Sequence, residues 1–214
     1  MSLRALLICI LTPAVFLPRT AAGTPQVWVE LNDCHLAKSS YSDGDSFHVI
    51  CEGKNHHFRL YFVDCPETDN RIPERLAEQA RAFGIPSSEI LTAGENAHAF
   101  TRDFLTGKFQ VLTKWEDARG DSKQQRFYAI VLVKSKNLAT ELVRNGWARV
   151  YGKIADFPDR VKCWAFRNEL KQLEKQARTQ QLGTFFNSPQ RNSANRNESS
   201  PDFDADLSRK ILRD

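Results

Sequence analysis

Apolar and polar residues alternate at Val27, Val29 and Leu31, which predicts a strand running on toward Ser42. The runs "SFHVICEG" (46–53) and "HFRLYFV" (57–63) predict a second and a third strand. "KFQVLTKW" (108–115) and "RFYAIVLV" (126–133) predict a fourth and a fifth. Asp43-Gly44 reads as a hairpin turn, because both residues tolerate positive φ. Helical spacing fits "PERLAEQARAF" (73–83), "GENAHAFTRDFLTG" (94–107) and "NLATELVRNG" (137–146). It also fits a long final helix over 160–183, in which Val161, Trp164, Ala165, Leu170, Leu173 and Ala177 form the apolar stripe and Gly183 the stop. Five strands with helices mostly after them predict an α+β domain, compatible with a small closed barrel of the OB type.

The two ends of the chain read differently. Residues 1–22 carry one early Arg4, an apolar run from Ala5 to Leu17 and small residues at Ala21 and Ala22. That order predicts a secretory signal cleaved after Ala22 and an exported protein, secreted or periplasmic. The apolar run is short for a bilayer span and Pro13 interrupts it. From Asn187 the chain is rich in Asn, Ser, Arg and Asp without a sustained apolar period, which predicts a polar, mostly disordered tail over 187–214. The folded domain is expected over 23–186.

Charge adds little in bulk. A formal net charge of +4 in 214 residues is mildly basic, so an anionic partner must be argued from local placement. Cleavage of the signal leaves Cys34, Cys51, Cys65 and Cys163, which permit two disulfides in an exported protein. Cys34 and Cys51 fall on roughly opposite positions of the first hairpin, which makes a bridge between them geometrically reasonable. Cys65 and Cys163 are then a second bridge or free thiols. Cys34, His35, Cys51, His56 and His57 match no common zinc spacing.

The hairpin region is unusual in its charges. Arg59 interrupts an apolar strand, and an unpaired buried guanidinium is costly, so it pairs with Glu67 or another carboxylate, or serves a ligand. Asp45 and Asp64 sit at strand ends that become neighbours if the second and third strands pair. Each could merely cap a turn. Converging carboxylates repel unless a cation lies between them, and a hard cation would also take the Cys65 carbonyl. Glu67 lies beside this set as a base for water. Arg126, at the start of the fifth strand, is either a solvent-exposed strand-end residue or a second guanidinium facing the same ion.

These residues resemble the staphylococcal (micrococcal) nuclease family. The stretches that carry the likeness are "DGDSFHV" (43–49), "FRLYFVDCPET" (58–68), "GENAHAFTRDFL" (94–105), "QQRFYAIVLV" (124–133), "NLATELVRNGWARV" (137–150) and "EKQARTQQLGTF" (174–185). The resemblance implies an OB-fold five-stranded barrel with three main helices, the helix after strand three being an addition. It implies that Asp45, Asp64 and the Cys65 carbonyl bind Ca2+, that Arg59 and Arg126 hold the scissile phosphate, and that Glu67 is the general base. Asp43 takes the place of a supporting aspartate.

The implied activity is calcium-dependent hydrolysis of DNA and RNA, single-stranded or denatured substrate preferred, leaving 3′-phosphate ends. A monomer without membrane attachment after signal cleavage is expected. Three features depart from the family pattern, the first being that its prototype lacks the four cysteines Cys34, Cys51, Cys65 and Cys163. Residues 68–93 are longer and could form a lid or reshape the groove. Glutamine stands before Arg126 where the family prototype has tyrosine, which leaves Tyr151 as a substitute for base stacking. The rival readings are a catalytically silent module that binds single-stranded nucleic acid or a protein, and a disulfide-stapled interaction module.

Overall fold

The computed structural model describes residues 27–38, 42–120, 124–159 and 161–186. The expected signal segment and the polar tail lie outside these residues. Strands β1 (Val29–Leu36), β2 (Ser46–Cys51) and β3 (Lys54–Leu60) form a meander. After β4 (Val63–Asp64), helices α1 (Pro73–Phe83) and α2 (Ile90–Phe104) intervene before β5 (Phe109–Asp117) and β6 (Phe127–Val133). A short β7 (Lys136–Asn137), α3 (Leu138–Arg144), β8 (Arg149–Val150) and α4 (Cys163–Thr179) complete the described chain.

The main sheet runs β3-β2-β1-β5-β6 and closes through a parallel β3–β6 pairing, in which Arg59 lies opposite Tyr128. This is the closed five-stranded barrel with helices that an OB-type α+β fold requires. Phe47, Val49, Phe58, Val111, Ala129 and Val131 are fully buried and fill it. Alternation along β2 and β3 places those residues inward.

Four details differ from the sequence reading. First, the tight hairpin turn is Glu52-Gly53, both at positive φ (50° and 74°), which joins β2 to β3. Asp43-Gly44 instead enters β2, and the Asp43 carboxylate accepts the Asp45 backbone N–H at 3.0 Å. Gly44 is needed for close approach: a Cβ there would sit 2.6 Å from Cys65 Sγ and 2.9 Å from Ala97 Cβ.

Second, the third strand breaks after Leu60. Phe62 takes a φ of 73°, and Val63–Asp64 leave the barrel to pair with β8, setting Asp64 opposite Arg149. Third, α2 begins a turn earlier than expected and carries Gly94 inside it, where any side chain would collide with the Glu67 carbonyl. Fourth, Trp164 is exposed and Phe166 is buried in its stead. Phe166, Leu170, Leu173 and Ala177 share one face of α4, and Trp164 falls on the opposite side.

Cys34 and Cys51 form a disulfide across β1 and β2, as the hairpin register requires, while Cys65 and Cys163 are free thiols. The bridge closes a loop with a sequence separation of 17. Its reduction should lower unfolding free energy by about 3 kcal/mol, through release of loop-closure entropy in the unfolded chain. A lower urea midpoint for the reduced protein, with a somewhat steeper slope from its more expanded unfolded chain, is the expected result. Equal midpoints would show that the barrel holds this edge unaided.

A second, smaller core joins Ala80, Phe83, Ile85, Ile90, Ala93, Ala177 and Phe185. It seats α1 against α2 and the end of α4. Arg178 adds hydrogen bonds to the Ala82 and Phe83 carbonyls, satisfying the last turn of α1.

Candidate active site

Closure of the barrel and the departure of β4 bring the charged residues to one cleft of about 870 Å³. Asp43, Arg59, Glu67, Arg126, Tyr128 and Tyr151 are among the residues that line it. Asp45 and Asp64 do not line it themselves; both are buried behind Arg59, which does. Arg59 Nη2 lies 3.1 Å from Asp64 Oδ1 and 3.6 Å from Asp45 Oδ2, so both carboxylates address a common volume. The ion pairs of Arg59 are thus with these two aspartates, and the Glu67 pairing considered from sequence gives way to them. Asp45, then Asp64, hold the Arg59 pKa above its usual value against the opposing effect of burial.

The Asp45 carboxylate also accepts the Cys65 backbone N–H at 3.2 Å. Arg126 donates from Nε to the Ala118 carbonyl at 3.0 Å and from Nη1 to Ser46 Oγ at 3.1 Å. Burial, and then the nearby Arg59, lower its pKa from the usual guanidinium value. Ser46 Oγ lies 2.9 Å from His57 Nε2. Burial, with His48 and Arg126 nearby, lowers the His57 pKa to about 4, so this imidazole is neutral at neutral pH.

Asp64 carries more partners than the sequence suggested. Its Oδ1 accepts from Arg59 and Arg75, and its Oδ2 from Arg149 at 2.8 Å and Gln79 at 3.2 Å. Arg75 also reaches Glu67 Oε1 at 3.2 Å and Glu78 Oε2 at 2.8 Å. Arg149 makes a two-pronged pair with Glu78, at 2.6 and 2.9 Å. Burial works against the Arg149 charge, but Glu78 and Asp64 more than offset it and its pKa is raised.

Sequence reasoning missed Arg75, Glu78, Gln79 and Arg149. Arg149 carried the same signal as Arg59, a guanidinium amid apolar residues in "GWARVYGK". Arg75, Glu78 and Gln79 are spaced i, i+3, i+4 and so share one face of α1.

Burial first, then Asp45, raise the Asp64 pKa despite its arginines, and burial with Asp45 raises Asp43 much further. Burial and Asp45 likewise raise Glu67, with Arg75 opposing them. Burial is the largest cause in each case, and the donors that these residues offer a cation are hard oxygens. Among the described residues no three or more His, Cys, Asp or Glu side chains are grouped to hold a metal ion. A cation here would therefore draw on Asp45, Asp64, the Cys65 carbonyl and water. That set fits calcium in donor type.

The class that the fold and site describe is a closed OB-type barrel with buried aspartates paired to guanidinium groups beside a cleft. The family model described as "Staphylococcal nuclease homologue" matches residues 57–185, and the chain belongs to that family. The match starts at His57, after Asp43, which lines the same cleft, and Asp45, which pairs with Arg59. The chain is also similar to "Endonuclease YncB" of Bacillus subtilis (strain 168), with 29% identity over 132 residues, 60% of this chain and 54% of that protein. It therefore spans about half the length of that relative. Among the described residues no helix is long and apolar enough to cross a membrane.

Proposed function

We propose that this protein is a calcium-dependent nuclease that hydrolyses DNA and RNA with little sugar or sequence selectivity, leaving 3′-phosphate ends, and that it acts outside the cytoplasm. The observation that carries the reading is a cleft lined by Arg59, Glu67 and Arg126 in which Arg59 pairs with the buried Asp45 and Asp64. Asp45, Asp64 and the Cys65 carbonyl would hold Ca2+, which supplies positive charge against the phosphate and its attacking water.

Arg59 and Arg126 bind the phosphate from β3 and from the start of β6, and their N–H groups stabilise its growing negative charge. Glu67, one-third exposed at 32%, takes a proton from water. Tyr151 is 53% exposed and lies over the Arg149 guanidinium at 4.4 Å, which gives a nucleobase a flat surface to stack on. Single-stranded substrate suits such a surface, because its bases are free to stack.

Incubation of the mature protein with denatured DNA should give fragments in calcium and none in excess chelator. Magnesium should serve poorly, because it demands tight octahedral geometry that two carboxylates and one carbonyl do not impose. Binding of DNA without cleavage in calcium would favour the silent module. Equal rates in magnesium would remove the calcium assignment.

A further inference from the structure

The added helix α1 borders the cleft through Arg75. Gln79 lies on its buried face, is fully buried (0% exposed) and spends its amide on one turn of chain. Its Oε1 accepts the Glu67 backbone N–H at 2.8 Å. Its Nε2 donates to the Cys65 carbonyl at 2.8 Å and to Asp64 Oδ2 at 3.2 Å. Both N–H donors and one acceptor site are thus used on the residues from Asp64 to Glu67.

A wholly buried amide is stable only with its partners in place, so the geometry of each constrains the others. Behind Gln79, the small core around Phe83 and Phe185 fixes α1, with ring centroids 5.8 Å apart. On the far side of the same turn, Gly94 of α2 lies against the Glu67 carbonyl. The turn is therefore gripped from α1 and α2 together.

We propose that Gln79 is a positioning residue of the active site, which sets the Asp64 carboxylate, the Cys65 carbonyl and the Glu67 main chain in their working arrangement. The inference rests on the calcium nuclease reading and deepens it: α1 is a fixed wall of the site and not a lid. Gln79 touches neither substrate nor the reacting atoms. It acts through the groups it holds, and its hydrogen bonds go to Asp64, Cys65 and Glu67 while Arg59 and Arg126 are held by partners other than Gln79.

The test is Gln79→Met, which keeps much of the volume and removes every hydrogen bond. In the full mature protein, below its melting transition, kcat on denatured DNA should fall about 10–100-fold with KM little changed, the range for loss of a group that orients metal ligands. Calcium affinity measured by calorimetry without nucleic acid should weaken by a similar factor. Gln79→Glu keeps an acceptor for Glu67 N–H but sets a carboxylate oxygen against two acceptors. Its kcat should fall at least as far, and it secures the test if the methionine variant misfolds.

Asp45→Asn separates the two levels of the argument. An inactive Asp45→Asn beside a folded Gln79→Met with wild-type kcat, or with a loss in KM alone, overturns the positioning role and leaves the site reading intact. A fully active Asp45→Asn removes the site reading, and the role of Gln79 falls with it.

Discussion

Glu67→Gln should lower kcat by about 10²–10⁴-fold while leaving the fold, calcium affinity and nucleic-acid affinity close to wild type. The range is that of a positioned general base. Glutamine retains an oxygen where Glu67 Oε1 meets Arg75 Nε at 3.2 Å, so the contact survives without the charge. The backbone N–H of Glu67 remains held by Gln79.

The competing role for Glu67 is structural, as the partner of Arg75. An ion pair whose members are 23% and 32% exposed contributes about 1 kcal/mol or less. Turnover, melting temperature and calcium affinity measured on this one variant distinguish the roles. A rate loss matched by a large fall in melting temperature would sink the catalytic assignment.

Arg59→Lys should lower kcat by about 10²–10³-fold, the range for loss of one transition-state donor. Lysine keeps a positive charge near Asp45 and Asp64, so the buried carboxylates are not stranded and stability should fall far less than rate. What is lost is the planar fork that can bind two phosphate oxygens at once. Arg126→Lys should follow the same pattern, with added loss of the bonds that aim Arg126, to the Ala118 carbonyl and Ser46 Oγ. Near-wild-type kcat in both variants would mean that the phosphate sits elsewhere in the cleft.

The barrel was readable because its signals are local. The apolar and alternating runs at 46–53, 57–63 and 126–133 marked the strands before any tertiary contact forms, although their ends and the Glu52-Gly53 turn came only from the structure. The hairpin register made a Cys34–Cys51 bridge geometrically reasonable, and the structure decided the pairing. Asp45, Arg59, Asp64, Glu67 and Arg126 stood out because charge in or beside apolar strands demands a partner.

The reach of α1 into the site was not readable in the same way. Arg75, Glu78 and Gln79 look like the solvated face of a helix, and only docking through Phe83, Ile90, Ala177 and Phe185 turns them inward. Gly44 likewise looked like a turn former, although its reason is the Cys65 and Ala97 side chains packed against it.

The sequence by itself determined the strands, the helices and the charged residues that need partners, since period, turn chemistry and desolvation cost act within a few residues. Only the tertiary structure decided which partners they have. The positive φ at Phe62 turns Asp64 out of the barrel and opposite Arg149, and the β3–β6 closure sets Arg59 and Arg126 on one rim. Contacts between residues far apart in the chain depend on how whole elements pack, and no local pattern encodes that packing.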